Sequence, residues 1–311
     1  MGNLDQDTTP SGAGGRYTIT ISEDWRIWGP NGGYLAAIAL RAAGLEATIK
    51  RPASIACHFL GVAKYEPAEV EVHVVHRGRS SESLHVLMTQ AGKPILQAMV
   101  RTAAEKPGIT HDFGRMPEVP PPSALKSFLD HVPDPPDPVP FWDNIDSRII
   151  HTERLMNMDD PFPAELREWY RFVPAATFDD PFADAARYTI LLDTFAWPVA
   201  ANPHPQATRE YVAVNMDVVA WFHRPAPASE WLLCDYDSPI AHAGLVGAHG
   251  RIWSEDGRLI ASGGAQLLSI PNPRPPTPAR RPSESERVAA AADGVSGSVR
   301  PKRKRSLRLV R

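Results

Sequence analysis

Two stretches of this chain follow one plan, and that repetition constrains the fold more than any other feature. From Gly33 to Leu45 the sequence reads Gly-Tyr-Leu-Ala-Ala-Ile-Ala-Leu-Arg-Ala-Ala-Gly-Leu, apolar nearly all round, as a helix buried on most faces would be. Alternating segments follow at Ser54–Leu60, Ala68–His76, Ser83–Gln90 and Ile95–Ala103, the period-2 pattern of half-buried strands. Ala91-Gly92-Lys93 turns the last pair as a hairpin. In the second half Ala186–Ala201 reads as another apolar helix. Tyr211–His223, Glu230–Asp237, Gly244–Trp253 and Leu259–Ile270 follow as strands in the same order, with Glu255-Asp256-Gly257-Arg258 at the matching turn. A helix–sheet unit occurring twice predicts an α+β protein whose two similar halves pack as a pseudo-dimer. Joining the two sheets edge to edge would hide two exposed strand edges.

Proline separates the units. The 32 prolines gather in a stretch from Pro117 to Pro140 and in another from Pro271 to Pro282, segments that cannot enter a helix interior or a central strand. The chain therefore divides into a disordered start (1–15), a first unit (16–104), a Pro-rich linker (105–140), a second unit (141–271) and a disordered Pro-rich and basic tail (272–311). Arg300–Arg311 holds seven Lys or Arg and no acid, leaving 26 basic against 36 acidic residues in the rest. With no aromatic residues interleaved, that run reads as a solvated end, and no nucleic-acid partner is expected. No stretch approaches the roughly 18 apolar residues of a membrane span, and the start lacks the basic-then-apolar order of a secretion signal. Cys57 and Cys234, one per half, make no disulfide framework. The expectation is a cytoplasmic protein, paired into a dimer or larger homo-oligomer.

Several chemistries find no footing. There is no Gly-x-Ser-x-Gly elbow for a serine hydrolase, no P-loop or dinucleotide fingerprint, and no His/Cys cluster at zinc spacing. No metal or cofactor is expected. One residue stands apart: Asp193, a carboxylate inside Tyr188-Thr189-Ile190-Leu191-Leu192-Asp193-Thr194-Phe195-Ala196-Trp197-Pro198. An unpaired charge among such neighbours is costly, so it either finds hydrogen bonds or faces a wet pocket. A structural alternative has it capping a local amide or pairing with Arg187. The first helix carries no acid, so one such site per chain is expected.

Particular words narrow the choice. Gly29-Pro30-Asn31-Gly32-Gly33-Tyr34, Arg77-Gly78-Arg79-Ser80, Asp217-Val-Val-Ala-Trp-Phe-His-Arg-Pro225, Glu230-Trp231-Leu232-Leu233 and Asp256-Gly257-Arg258-Leu259-Ile260-Ala261-Ser262 resemble the acyl-CoA thioesterase II (TesB-like) family over about Arg16 to Pro271. The resemblance implies a double hotdog fold and hydrolysis of a fatty or related acyl-CoA to free acid and coenzyme A. It also implies a water held by an Asp on the second helix, a Thr or Ser on the following strand and a Gln on the last strand. Asp193 matches the first through its Asp-x-x-x-x-Pro-Val context. The second place falls on Asn215, an amide where the family has a hydroxyl. Gln266 is the best match to the third, although its spacing from Ala261-Ser262 is one residue longer than the family's, and a shift of one turns a side chain to the other face of a strand.

The free amides at the start of the first helix, around Gly32, Gly33 and Tyr34, are candidate donors to an oxyanion; equally, the glycines serve only a close approach of the loop to the sheet. Arg77 and Arg79, in a turn between strands, are candidates for the phosphates of coenzyme A. Trp221 and Phe222 read as core or interface residues able to line an acyl tunnel. Pro198 stands where a hydratase of this fold would carry His, which disfavours hydration of a double bond. The competing functional class is a non-catalytic acyl-CoA-binding hotdog protein, favoured by Asn215 in place of the hydroxyl.

Overall fold

The computed structural model describes residues 1–132, 139–156 and 159–273. Its thirteen strands form one antiparallel sheet. They are β1 (Ser11–Ala13), β2 (Arg16–Thr20), β3 (Pro52–Phe59), β4 (Pro67–Arg77), β5 (Ser81–Gln90), β6 (Lys93–Ala103), β7 (Ile145–Ile149), β8 (Glu165–Phe172), β9 (Tyr211–Asn215), β10 (Asp217–Phe222), β11 (Leu232–His242), β12 (Leu245–Ser254) and β13 (Leu259–Pro271). The spatial order β1-β2-β4-β5-β6-β3-β10-β13-β12-β11-β8-β7 is a palindrome of two matching halves. Its centre is the β3–β10 pair, where Ala56 faces Val219 and His58 faces Asp217. The two sheets thus join edge to edge, and each closes an edge that the other would leave open.

Each half wraps a helix. The first-half helix, Gly32–Glu46, is buried on nearly every side, as its all-round apolar sequence requires. The second-half helix spans Pro181–Thr194, with Asp180 as N-cap and Pro181 in its first turn, a start that proline favours because its missing N–H would be unpaired there anyway. The two helices lie side by side and run in opposite directions. Gly33 abuts the Ile190 backbone at one end, and Gly44 abuts the Phe182 ring at the other. This is the double hotdog arrangement.

Three elements differ from the sequence expectation. The predicted helix Ala186–Ala201 breaks at Phe195, and a short helix Ala196–Ala201 follows. Pro198 has no N–H to donate to Thr194, so the chain restarts with that proline in a first turn. The predicted strand Tyr211–His223 is two strands. Asn215 faces Leu267 on β13 while Val219 faces Gly264, so the register slips by one and Met216 and Asp217 share Gln266 as their opposite. This is a β-bulge, and it switches which alternate residues point inward.

The start of the chain is also ordered. Leu4–Thr8 is helical and its Leu4 and Thr8 are buried, while β1 and β2 pair at the sheet's edge. The cause lies in Arg41, the one basic residue of the first-half helix, which is buried and pairs with Asp5 at 2.6 Å and Asp180 at 2.8 Å. A buried guanidinium needs carboxylates, and the N-terminal segment supplies one. Residues 105–132 cover the outer face of the second half, where Trp169 donates to the Pro120 carbonyl and Met116, Val119 and Leu125 pack against Trp169, Trp231 and Trp253. Residues 133–138 of the linker and the basic tail lie outside the described residues.

Candidate active site

Asp193 sits at the C-terminal end of its own helix, where a negative charge is disfavoured by the helix dipole. Because the two helices are antiparallel, it faces the N-terminal end of the first-half helix, where an anion is favoured. One carboxylate oxygen accepts the Gly33 N–H at 2.6 Å. The other accepts Asn215 Nδ2 at 2.6 Å, and the same Nδ2 lies 3.1 Å from the Asp193 carbonyl. With two acceptors facing it, that end of the Asn215 amide must be the nitrogen, which leaves Asn215 Oδ1 free to accept.

The carboxyl is 4% exposed. Burial raises its pKa from the usual 3.8 to about 6, although the bonds from Asn215 and Gly33 favour the charged form. Arg187, the alternative partner considered above, instead binds Asp184 together with the Ala176, Ser229 and Ala226 carbonyls. Asp193 therefore has a desolvated charge and no cationic partner among the described residues, the environment that makes a carboxylate a proton acceptor near neutral pH.

The helix start around it is closely fitted. Asn31 is the N-cap, its Oδ1 accepting from Tyr34 N at 2.8 Å and its Nδ2 donating to Thr194 Oγ1 at 3.1 Å. The cap thereby ties one helix's start to the other's end. A Cβ at Gly32 would lie 3.0 Å from both Asp193 oxygens and 2.8 Å from the Phe59 ring, so only glycine lets the backbone come this close. With Gly33 N bound to Asp193 and Tyr34 N bound to Asn31, the Gly32 N–H is the one amide of the first turn without a protein acceptor among the described residues. Asn31 and Phe59 were missed in the sequence; the cap was legible as Asn directly before a helix, but Phe59 carried no local signal.

The other sequence candidates are elsewhere. Gln266 is exposed on the outer face of β13, its backbone N–H donating to Asp217 Oδ1 and its carbonyl accepting from Met216 N. The buried neighbour on the inner face is Ala265, so the one extra residue of spacing does turn the glutamine away. Tyr34 is a core residue, stacked on Trp25 at 5.3 Å with its hydroxyl bound to Ser22 N and the Asp7 carbonyl. Arg77 bonds to buried Glu82 and to the Glu46 carbonyl, at the end away from Asp193 of a helix about 20 Å long, and anchors that end. Arg79 is exposed in the adjoining turn. Trp221 is 52% exposed on the outer sheet face, away from any interior tunnel. Phe222 packs near Tyr188 at the opposite end of the helix pair. Cys57 and Cys234 are free and buried, and burial followed by the nearby Asp193 charge raises the Cys57 thiol's pKa well above its usual value, so it is no nucleophile.

Comparison with known proteins agrees with this layout. Residues 21–103 match the family model of the acyl-CoA thioesterase N-terminal domain, and residues 118–269 match that of the C-terminal domain. The chain is 27% identical to human acyl-coenzyme A thioesterase 8 over 227 residues, 67% of this chain and 70% of that one. It is 26% identical to acyl-CoA thioesterase 2 of Haemophilus influenzae over 249 residues, covering 74% and 84% of the two chains. Among solved structures, the acyl-CoA thioesterase II TesB2 of Mycobacterium marinum superposes with a TM-score of 0.70 at 22% identity, covering 89% of this chain and 99% of that one. The two domain models together span most of the chain, one over each half, the second beginning at residue 118. The chain belongs to the TesB-like acyl-CoA thioesterase family.

Proposed function

We propose that this protein hydrolyses acyl-CoA thioesters at Asp193, by direct attack of water and without an acyl-enzyme. The observation that carries the reading is the Asp193 carboxyl, desolvated to a pKa of about 6 and held between Gly33 N–H and Asn215 Nδ2 beside the open Gly32 amide. A water bound there donates one hydrogen to the Asp193 carboxylate and the other to Asn215 Oδ1. Its oxygen attacks the thioester carbon, Asp193 takes the proton, and the carbonyl oxygen, now an oxyanion, is stabilised by Gly32 N–H and the positive helix end. Collapse breaks the C–S bond, and the proton on Asp193 passes to the departing thiolate. Asn215 replaces the family's hydroxyl with an acceptor of equivalent use.

A second reading, a binding protein that does not turn over, draws on Ala265, which supplies no polar group on the inner face of β13. Release of free coenzyme A from short, medium, long and aromatic acyl-CoAs, followed with a thiol reagent, separates the two. Wild type is expected to hydrolyse at least one class, and Asp193→Asn to lose about a hundredfold or more, the usual cost of a missing general base. Equal and near-zero release from both proteins across all substrates would favour the binding protein.

A further inference from the structure

The pseudo-twofold axis between β3 and β10 assigns a counterpart to each part of the Asp193 site. Gly32 opens the first-half helix and Pro181 opens the second. Asp193 lies against Gly33, and Gly44 lies against Phe182. β3 ends on Phe59 and β10 ends on Phe222; Asn215 stands seven residues before Phe222, and Pro52 stands seven before Phe59. These counterparts meet at the opposite end of the helix pair, and a cavity of about 240 Å³ is lined there by Lys50, Arg51, Pro52, Pro181, Phe222 and Arg224.

Every group needed for hydrolysis is missing from it. Pro181 has no N–H to offer an oxyanion, Gly44 no carboxylate to take a proton, and Pro52 no side chain to hold water. The cavity nonetheless remains open and its rim is cationic. Lys50 and Arg51 are exposed, Lys50 reaches the Gly44 carbonyl at 2.6 Å, and Arg224 meets Asp112 at 2.7 Å. The acid in its wall, Asp184, is already neutralised by Arg187 and bound by the Tyr188 hydroxyl and Ala226 N–H. Beyond Phe222, His223 and Arg224 a second space of about 600 Å³ shares these three residues. An apolar floor with a basic rim and room beyond suits an amphipathic anion carrying phosphates.

We propose that this cavity is a second, non-hydrolytic binding site for a coenzyme A-class ligand, its pantetheine or acyl arm against Pro52 and Phe222 and its phosphates against Lys50, Arg51 and Arg224. The ligand class rests on the function proposed above; the site itself does not. Isothermal titration of the full chain with free coenzyme A, to about 1 mM at the top of the ordinary range of enzyme affinities, is expected to show two equivalents per chain. The Lys50→Glu/Arg51→Glu variant should retain one equivalent and hydrolyse acyl-CoA within twofold of wild type. Lys50→Gln/Arg51→Gln, which leaves the fold least disturbed, should weaken the same equivalent at least fivefold, with an unchanged circular dichroism spectrum. One equivalent in wild type, none at all, or two that ignore both charge changes would overturn the proposal. Absence of hydrolysis with two equivalents, one of them lost on the charge changes, would instead sink the functional reading and leave this one standing.

Discussion

At Asp193 the same burial that raises the carboxyl's pKa costs stability. A carboxyl whose pKa is raised from 3.8 to about 6 in the folded protein binds its proton more tightly there than in the unfolded chain. Stability from this group is therefore greatest below about pH 4 and is lost as pH rises through 6, by on the order of 2–3 kcal/mol. Two measurements follow. The acyl-CoA kcat/KM should climb with pH through an apparent pKa of about 6 and then level, and Asp193→Asn should abolish that step. In urea at pH 7.5, Asp193→Asn should be no less stable than wild type and up to about 2 kcal/mol more stable. The neighbours give a sharper comparison. Asn215→Ala removes a bond to Asp193 and the water acceptor and should cost tenfold or more in kcat, whereas Gln266→Ala, on the outer face, should stay within twofold. A large loss from Gln266→Ala would place the water site on β13 after all.

At the scale of elements, the helix pair sets how closely the site is held. Gly33 and Gly44 mark its two ends, yet they are not equivalent. A Cβ at Gly33 would come within 2.7 Å of Ile190 Cα and 2.8 Å of its carbonyl oxygen, both backbone atoms, whereas at Gly44 it would meet the Phe182 ring at 2.6–2.8 Å. A ring can turn aside and a helix backbone cannot without moving the helix. Replacing glycine by alanine within a helix gains about 1 kcal/mol of propensity, which the Gly44→Ala clash roughly offsets. Gly33→Ala should instead destabilise by about 3 kcal/mol, at the upper end of overpacking costs, and should lower hydrolysis because it displaces Asp193. Urea unfolding of both variants checks the order; equal stabilities would show that the helices can part without cost.

At the scale of the molecule, the N-terminal segment is bound into the first half by the same cation that reaches the second. Arg41 of the first half pairs with Asp5 of the N-terminal helix and with Asp180, the cap of the second-half helix. One buried cation thus fastens three segments. Removing residues 1–10 exposes the Leu4 pocket and leaves Arg41 with one carboxylate, a loss of about 3 kcal/mol from the buried leucine and the weakened pair. The truncated chain should unfold at lower urea with the palindromic sheet still intact below that transition. An unchanged midpoint would mean that Asp180 alone satisfies the guanidinium.

The two helices, the strand sets and the special standing of Asp193 were all legible in the sequence, because period-2 alternation, all-round apolarity and an isolated acid are local patterns. So was the family, through short words that stay contiguous. What tertiary structure decided are the facts that depend on register or on distant partners. The bulge at Met216 sets which face Asn215 and Val218 share, and one residue of spacing on β13 puts Ala265 inside and Gln266 outside; alternation along a strand cannot reveal a slip against its neighbour. The polar start of the chain looked unable to fold, but its Asp5 answers a buried Arg41 far along the sequence. Asp193 acquires its buried, donor-lined setting only when Gly33, 160 residues away, brings a helix start against it, for no carboxylate carries its own dielectric and hydrogen-bond donors in the sequence beside it.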